Sequence, residues 1–553
     1  MSAALPEDVQ AAFCAVLCDE WARAGVTHAV VSPGSRSTPL VAALDAEARI
    51  RVAVVLDERS AGFTAVGLGR ATGRPAVVVT TSGTAAVELH PAVVEAGQDW
   101  VPLIAVTADR PPELHHVGAP QTVEQPGLFG PVVRWAADPG VPDAAGAAAW
   151  RSLAARSVAE AVAGPEGPGP VHLNLPFREP LLGDAGAIEW PPGRPGAAPW
   201  HSVAAPGPAP APPEVVDVVC RFAGGRGLIV AGAGSGSHGG VAAVLALSEH
   251  LGWPVLAEPR SGCRVPMPDV VSAADSLLRT PSFQAFRPEV VLRLGPPWAS
   301  KVLNQWLAAL APSVPQIVVD RWGRWADPDR TATHLARTSP AALLAALPGD
   351  GQEPGPVTEW LTGWRRGDQA ARTVLDRLLG PGGELACSEP AVAQAAVRAL
   401  PPGGTLVVSS SMPVRDVEWY GPPAAGVRVV ANRGANGIDG VLSTALGVAM
   451  ADPEASTIAL LGDLAFLYDA GALLWAASRP ARLKVVVVDN QGGGIFSFLP
   501  QAAGDFSRHR VNVQQFALAV ERHPQRAVWR CGHTAWLRVR LQGEFADRPG
   551  FGV

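Results

Sequence analysis

Lysine is almost absent from this chain, because only Lys301 and Lys484 among its 44 basic residues are lysines. Arginine is therefore the default cation. The formal net charge is −6 and no dense basic stripe occurs, which argues against nucleic acid as the main partner. No stretch approaches the roughly 18 to 20 apolar residues that a bilayer-spanning helix needs. The N-terminus also lacks a basic segment followed by an apolar one, so we expect no secretory signal and a cytoplasmic location.

Cysteine is scarce as well. The six cysteines are scattered without a Cys-x-x-Cys pair, which leaves a structural zinc site without support. Cys14 and Cys18 are one helical turn apart, and we expect them to be reduced and buried. With 553 residues, of which 48% are hydrophobic, the chain is long enough for three domains with large cores.

Strand-like apolar runs alternate with helical segments, which predicts α/β domains whose parallel sheets are covered on both faces. In the middle of the chain, Gly232, Gly234 and Gly236 follow such a run. Their spacing differs from the dinucleotide-binding fingerprint, so a tight turn in a Rossmann-like spacer is favoured over a nucleotide site. Stretches rich in proline and glycine separate the predicted units, which are residues 1–190, a proline-rich linker 191–213, residues 214–346 and residues 347–553.

Two apolar runs of the last unit end in side chains that carry oxygen. One ends in Gly462-Asp463, and the other ends in Asp489-Asn490 before three glycines. Neighbouring parallel strands would deliver these side chains to one sheet edge, where open α/β sheets bind ligands. Asp463, Asn490 and a carbonyl near Gly492 suit a Mg2+ ion shared with a diphosphate. The alternative is a pair of ordinary strand-end turns, in which Gly, Asp and Asn are common.

Glu58 follows an apolar run in the first unit, at the expected start of a helix. An acid in a first helical turn complements the helix dipole, which is the structural interpretation. The functional interpretation is that a carboxylate beside a heterocycle nitrogen in a dry cleft shares a proton with it, as in general acid-base chemistry. The glycine turns 32–38 and 80–85 of the same unit present N–H groups and hydroxyls, either as an anion site or as simple helix caps.

Five dispersed segments carry a family resemblance: Ser32-Pro-Gly-Ser-Arg-Ser-Thr-Pro-Leu40, Thr107-Ala-Asp-Arg110-Pro-Pro, Ala431-Asn-Arg433-Gly-Ala-Asn-Gly-Ile-Asp-Gly440, Gly462-Asp-Leu-Ala-Phe-Leu467 and Gly492-Gly-Gly-Ile-Phe-Ser497. As a whole the chain resembles thiamine diphosphate enzymes of the decarboxylase and acetohydroxyacid synthase type. The amino-acid sequences of these five segments resemble the motifs of the 2-succinyl-5-enolpyruvyl-6-hydroxy-3-cyclohexene-1-carboxylate synthase family of menaquinone biosynthesis. Leu464, which stands where most relatives carry a third glycine, is typical of that family.

The resemblance implies three doubly wound parallel-sheet domains, which are pyrimidine-binding, central Rossmann-like and diphosphate-binding. The implied cofactors are thiamine diphosphate and Mg2+, with Mn2+ as a possible substitute. Glu58 matches the catalytic glutamate that engages the aminopyrimidine ring of the cofactor. Asp463, Asn490 and the Gly492 carbonyl match the metal ligands. The positions that match cofactor contacts are Glu58, Ser82, Gly83, Ile438, Gly462, Asp463, Leu464, Asn490, Gly492 and Ile495.

The same resemblance implies a transferase that decarboxylates 2-oxoglutarate and adds the resulting succinyl-semialdehyde carbanion to isochorismate in a 1,4-addition. Both substrates are dianions, and the planar guanidinium group of arginine binds a carboxylate through two hydrogen bonds. The implied active unit is a homodimer or a dimer of dimers, with active sites between chains. The positions that match substrate contacts are Ser35, Arg36, Arg110, Gln121, Lys301, Ser411, Arg415 and Arg433.

The sequence departs from the family pattern in three places. Pro120 stands where asparagine is usual, and Val302 stands where some members have a second cation. Residues 501–553 are rich in Arg and His and do not follow the pattern. A diverged or frameshifted C-terminus is one hypothesis, and with it the chain would bind the cofactor without turnover. A plain 2-oxo acid decarboxylase is disfavoured, because a small neutral substrate would not need the arginines.

Overall fold

Three parallel sheets organise the molecule, and every strand pair among the described residues is parallel. This is the α/β class that the alternating pattern predicts. The structure is a computed structural model that describes residues 5–204, 207–296, 298–348, 357–476, 481–490 and 492–498, with the backbone of 535–540.

The first sheet has the strand order β2-β1-β3-β4-β6-β5. Its strands are rich in Val, Ala and Leu, as strands covered on both faces should be. Cys14 and Cys18 are buried in the first helix, as expected. The strands are β1 (His28–Val31), β2 (Arg51–Val54), β3 (Ala76–Thr80), β4 (Leu103–Asp109), β5 (Trp135–Ala137) and β6 (Pro170–Pro176), and the helices are α1 (Pro6–Arg23), α2 (Thr38–Ala46), α3 (Glu58–Thr72), α4 (Thr84–Glu88), α5 (His90–Gln98) and α6 (Ala147–Ala163).

The second sheet has the order β12-β11-β10-β7-β8-β9. The loop after β7 is filled by its neighbours, because a Cβ on Gly236 would lie 2.6 Å from the Ser261 carbonyl oxygen, which agrees with a tight turn there. The strands are β7 (Gly227–Ala231), β8 (Val255–Ala257), β9 (Val270–Val271), β10 (Val290–Leu294), β11 (Gln316–Val319) and β12 (His334–Ala336), and the helices are α7 (Pro213–Phe222), α8 (Gly240–Leu251), α9 (Ala274–Leu278), α10 (Pro281–Ala285), α11 (Lys301–Leu310), α12 (Pro340–Ala346) and α13 (Glu359–Leu379).

The third sheet has the order β14-β13-β15-β16-β17. Of the atypical segment 501–553, only the backbone of residues 535–540 is described, so the hypothesis of a diverged C-terminus lies outside the described residues. The strands are β13 (Thr405–Val408), β14 (Arg428–Val430), β15 (Thr457–Gly462), β16 (Leu483–Asp489) and β17 (Ala535–Arg540), and the helices are α14 (Glu389–Arg398), α15 (Met412–Tyr420), α16 (Val441–Ala451), α17 (Asp463–Tyr468) and α18 (Leu473–Ala476).

The first and last sheets share one hydrophobic core, which α3 and α16 build between them. Glycine lets these helices touch. A Cβ on Gly67 would lie 2.1 Å from the Thr444 carbonyl oxygen, and a Cβ on Gly447 would lie 2.1 Å from the Thr64 carbonyl oxygen. Backbone contact this close leaves no room for a side chain at Gly67 or Gly447. The two domains are therefore packed against each other within one chain.

Helix α13 belongs by its packing to the second sheet. Trp360 and Trp364 are buried in the apolar cluster that covers one face of that sheet, and the Trp360 indole donates a hydrogen bond of 2.7 Å to the Gly227 carbonyl oxygen. The domain boundary at residue 347 remains a prediction, and it separates this helix from the sheet that it covers. Among the helices within the described ranges, none is long and apolar enough to cross a membrane.

Candidate active site

Open α/β sheets bind ligands at the carboxyl ends of the strands beside a reversal of strand order. In the last sheet the reversal lies between β13 and β15. The segment 409–411 follows β13, and Asp463 follows β15 directly. The Gly462 N–H donates a 3.4 Å hydrogen bond to Ser409 Oγ, so the two strand ends touch. The predicted residues Ser411 and Asp463 therefore lie at the carboxyl edge of the last sheet, where a ligand is expected.

Asp463 is firmly held at this edge. It is the first residue of α17, and its carboxylate accepts backbone N–H groups from Leu464 at 2.8 Å and from Gly492 at 2.7 Å. Burial raises the pKa of Asp463, although the two backbone donors oppose that rise. Gly492 has a φ of +85°, a conformation that favours glycine. The structure thus brings Asp463 and the glycine turn into direct contact.

Asn490 presents a buried oxygen that lacks a hydrogen-bond partner among the described residues. Its amide Nδ2 donates to Glu389 Oε1 at 3.0 Å, which turns Oδ1 the other way. A Cβ on Gly494 would lie 2.5 Å from Asn490 Nδ2, so only glycine fits there. A buried oxygen left without a partner costs free energy, which a bound cation would recover. Glu389 was not predicted, because it begins a distant helix and no local motif marks it.

Two arginines of the last domain converge with a third from the middle domain. Burial lowers the pKa of Arg433, and so do the nearby charges of Arg260 and Arg415. Arg260 donates from Nε to Glu258 Oε1 at 2.5 Å. Arg415 donates to the carbonyl oxygen of Ser411, a residue with a φ of +73°. The predicted Ser411, Arg415 and Arg433 therefore belong to one cationic group.

The middle domain approaches the same group through α11. Lys301 is exposed at the first turn of this helix. Just before it, the Ala299 N–H donates a 3.0 Å hydrogen bond to Glu418 Oε2 on α15. Burial raises the pKa of Glu418 to about 8, and the charge of Glu258 adds to this rise. Arg260 and Glu258 were missed, although the Glu-Pro-Arg-Ser-Gly turn after β8 could have indicated them.

The first domain gathers a second cationic group where its own sheet reverses, between β1 and β3. Arg36 donates to the Phe177 carbonyl oxygen at 3.0 Å and to Glu179 at 2.9 Å. Arg110 donates to the Ser82 hydroxyl, and burial together with the charge of Arg36 lowers the pKa of Arg110. The two predicted glycine turns touch, because a Cβ on Gly34 would lie 2.3 Å from the Thr81 side chain.

Gln121 completes this first-domain group. Its amide donates to the Ser82 carbonyl oxygen at 3.2 Å, and its backbone φ is +59°. Gly83 donates its N–H to Gln125 at 3.0 Å; Gln125 is fully buried and was not predicted. Ser35 is exposed, and its carbonyl oxygen accepts from Thr38. The first-domain positions therefore lie together, on a different sheet from the metal-binding candidates.

Glu58 begins α3, and Asp57 caps the helix by accepting the Ser60 N–H at 2.8 Å. Burial is the main cause that raises the pKa of Glu58, and the negative charges of Asp57 and Glu88 add to it. Within the described part of one chain, no hydrogen bond or ion pair joins Glu58 to Asp463 or to Asn490. The start of α3 instead contacts the end of α17, because Arg59 donates to the Tyr468 carbonyl oxygen at 2.8 Å.

The apolar cofactor positions lie partly open. Leu464, Ile438 and Ile495 are half-buried. Ile438 lies in the loop between β14 and α16, and its neighbours Gly437 and Asp439 line a cavity of about 220 Å³ between the first and last domains. Several large apolar side chains near α3, α17 and α18 are exposed as well, namely Leu56, Leu467, Tyr468, Leu474, Phe496 and Phe498.

Comparison with known proteins gives these positions a context. Three family models match in succession: the N-terminal TPP binding domain of thiamine pyrophosphate enzymes over residues 13–128, the middle domain over 196–408, and the C-terminal TPP binding domain over 424–536. A 2-succinyl-5-enolpyruvyl-6-hydroxy-3-cyclohexene-1-carboxylate synthase of Thermobifida fusca is 45% identical over 531 residues, which are 94% of this chain and 92% of that protein.

The chain belongs to this synthase family. Enzymes with the same name from Myxococcus xanthus and Chloroflexus aurantiacus are 44% and 41% identical, each over 88% of this chain and 83% of their own length. The three sheets are thus the three domains of a thiamine diphosphate enzyme, as the resemblance implied. Membership in the family confirms the predicted fold class and the predicted type of transferase.

Proposed function

We propose that the chain decarboxylates 2-oxoglutarate and adds the remaining four-carbon unit to isochorismate, as a thiamine diphosphate-dependent synthase of menaquinone biosynthesis. The observation that carries this proposal is that Asp463 and Asn490, whose Oδ1 has no hydrogen-bond partner among the described residues, follow the paired strands β15 and β16 in a member of this family. When bound, thiamine diphosphate supplies the electron sink for loss of CO2 and for formation of the new carbon–carbon bond.

The donor set fits Mg2+, or Mn2+ in its place. Asp463 offers a carboxylate, Asn490 an amide oxygen and Gly492 a backbone carbonyl, and hard cations prefer such oxygen ligands together with those of a phosphate. No group of three or more His, Cys, Asp or Glu that could hold a metal occurs within the described ranges. A metal here would therefore depend on the diphosphate for further ligands, which agrees with a cofactor-linked ion.

Glu58 has the chemistry to hold a proton against the aminopyrimidine ring. Its raised pKa means that the carboxyl binds a proton more readily than an exposed glutamate does. A group of this kind passes protons to and from a nearby ring nitrogen at neutral pH. We assign Glu58 this role, with Ser82 and Gly83 lining the pyrimidine end and Leu464, Ile438 and Ile495 packing against the rings.

The two cationic groups suit two dianionic substrates. Arg415 and Arg433 come from the last domain with Lys301 from the middle domain, while Arg36 and Arg110 come from the first domain. Guanidinium groups bind carboxylates in bidentate fashion, and burial strengthens the pairing. Ser35, Gln121 and Ser411 add polar contacts. In this proposal the arginines orient the anions, and the apolar residues exclude water from the site.

We place the active sites between chains, because within the described part of one chain no hydrogen bond or ion pair joins Glu58 to Asp463. The exposed apolar side chains near both, such as Leu56 at the α3 end and Leu474 on α18, are 67% and 76% exposed. Apolar surface of this kind commonly marks a protein interface. A two-fold dimer that covers it would bring Glu58 of each chain to the metal edge of its partner subunit.

The proposal is tested with purified protein, thiamine diphosphate, Mg2+ and both substrates. We expect CO2 release only when isochorismate is present with 2-oxoglutarate. Release without isochorismate would instead indicate a plain 2-oxo acid decarboxylase. Binding of the cofactor with no release of CO2 would indicate a homologue without turnover, which is the alternative raised by residues 501–553.

A further inference from the structure

Glu95 lies on α5 in the first domain, yet its carboxylate binds backbone of the last domain. Oε1 accepts the Gly434 N–H at 3.0 Å, and Oε2 accepts the Ala435 N–H at 2.7 Å. The side chain is only 2% exposed. One buried carboxylate thus binds two consecutive N–H groups in the loop between β14 and α16.

Arg70 compensates the buried charge of Glu95. It donates from Nη2 to Glu95 Oε1 at 2.6 Å and also pairs with Asp99 at the end of α5. A buried carboxylate is tolerated only when it is paired and hydrogen-bonded, and here both conditions hold. Arg428 of the last domain in turn donates to the Ala71 carbonyl oxygen at 3.1 Å. The pair Glu95–Arg70 therefore lies within the contact between domains.

The loop that Glu95 binds carries two of the proposed site residues. Arg433 directly precedes Gly434, and Ile438 follows Ala435 by three positions. The loop lies against the end of α5, because a Cβ on Gly434 would be 2.7 Å from the Glu95 carbonyl oxygen and 2.8 Å from the Asp99 nitrogen. Ser410 Oγ binds the Asn432 carbonyl oxygen at 3.3 Å, which anchors the start of the same loop.

We propose that Glu95 is a positioning residue that sets the loop 433–438, and with it both Arg433 and Ile438. The proposal rests on the proposed roles of these two residues. One side chain of the first domain would then control an anion-binding cation and an apolar cofactor contact together. Loss of the carboxylate should weaken binding of substrate and of cofactor in the same variant, although Glu95 touches neither.

The contact between the first and last domains does not depend on Glu95. The shared core between α3 and α16 is large and apolar, and it includes Val66, Leu446 and Ala449 at full or nearly full burial. Burial of apolar surface is the main favourable contribution to such a contact. Replacing Glu95 should therefore leave the domains packed and change the loop, which gives the proposal a distinctive measurement.

The test is Glu95→Gln, which keeps the shape but offers one acceptor and an N–H2 group in place of two acceptors. In protein without cofactor, hydrogen exchange at residues 433–438 should become faster while exchange in β13 and β15 stays unchanged. With cofactor, the KM for isochorismate and the Kd for thiamine diphosphate should each rise about tenfold, more than kcat falls.

Glu20→Gln is the matched control. Glu20 is fully buried, pairs with Arg151 at 2.9 Å and accepts the Trp200 N–H, all away from the last domain. If Glu95→Gln fails to fold, Glu95→Asp keeps the charge but withdraws the carboxylate by about 1.5 Å, and the same exchange result is expected. Unchanged exchange at 433–438, or equal effects from Glu20→Gln, would overturn the proposal. The exchange readout holds even if the proposed substrates give no turnover.

Discussion

Asp463 and Glu58 are both carboxylates on the first residue of a helix, and their surroundings differ. Asp463 accepts two backbone N–H groups, and one of them comes from Gly492, two positions after Asn490. Glu58 is half-buried, and burial together with the negative charges of Asp57 and Glu88 raises its pKa. One carboxylate is held by two backbone donors of its own chain, whereas the other, in the proposed dimer, meets a partner subunit.

The surroundings of Asp463 and Glu58 differ because different parts of the fold supply them. The metal edge needs only two adjacent strands, β15 and β16, whose register places Gly462 opposite Val488. In the proposed dimer, Glu58 gains a surface from the partner subunit, although α3 already contacts the last domain of its own chain through Ser60 and Asp469. Local pairing completes half of the site, and we propose that assembly completes the rest.

Glu58→Gln should have the largest effect. Removing the exchangeable proton should lower kcat by at least about 100-fold, which is the usual range for a lost acid-base group. The Kd values for thiamine diphosphate and Mg2+ should stay within about twofold, because the metal edge is intact. Steady-state kinetics and calorimetric titration measure both. Glu88→Gln, which removes a neighbouring carboxylate, should retain activity, and an equal loss in both variants would count against the assignment.

Asp463→Asn should reverse that pattern. The Kd for Mg2+ in the presence of cofactor should rise about 10-fold to 100-fold, because the one charged ligand is lost. Calorimetric titration with Mg2+ or Mn2+ gives the value. Asp452→Asn is the control, since Asp452 also accepts backbone N–H groups in this domain but lies exposed. Unaltered metal affinity would remove Asp463 from the site.

Arg433→Lys should have an intermediate effect. A lysine keeps the charge but not the bidentate fork, so the KM for isochorismate should rise about tenfold while kcat changes less. The exposed pair Arg482–Glu454 provides the control, and Arg482→Lys should leave both constants unchanged. A fall in kcat with no change in KM would place Arg433 outside substrate binding.

Asp469→Asn should give the smallest effect, which is on stability. Asp469 lies where the last domain contacts α3 of the first domain. It accepts from Ser443 and from Ser60, and burial raises its pKa to about 6. Because this folded-state pKa exceeds the unfolded value of about 3.9, protonation stabilises the fold as pH falls through 6. Between pH 7 and pH 5 the wild type should gain about 1 kcal/mol relative to Asp469→Asn.

Thermal melts measure this gain as a rise in the Tm difference of about 1 °C. A Tm difference that does not change between pH 7 and pH 5 would mean that Asp469 keeps an ordinary pKa. The variant itself serves as the control, because an asparagine does not titrate in this range.

Much of the fold could be predicted from sequence because long apolar strands alternate with helices. The short strands β5, β9 and β12 were not predicted, since they do not stand out as apolar runs between turn residues. Asp463 and Asn490 could be predicted because each ends a long apolar run. Arg415 and Ile438 were predicted from the resemblance to the family's motifs, and no local sequence pattern indicated them.

The missed residues share a physical cause. Glu389, Arg260 and Glu95 each lie on an element remote in sequence from the group that they contact. Glu95 occurs in a helix where a charged residue normally indicates a solvated face, and only the packing of the last domain buries it. Contacts between domains are decided by tertiary structure, which a single sequence does not display.

Hybrid dimers test the central claim most directly. Glu58→Gln and Asp463→Asn chains with different tags would be co-expressed, and the mixed species purified on both tags in turn. If each site takes Glu58 from one chain and Asp463 from the other, one site of two is intact, and the hybrid should show about half of the wild-type activity. Activity no higher than that of the two parent variants would show that both residues act within one chain, and would contradict the account.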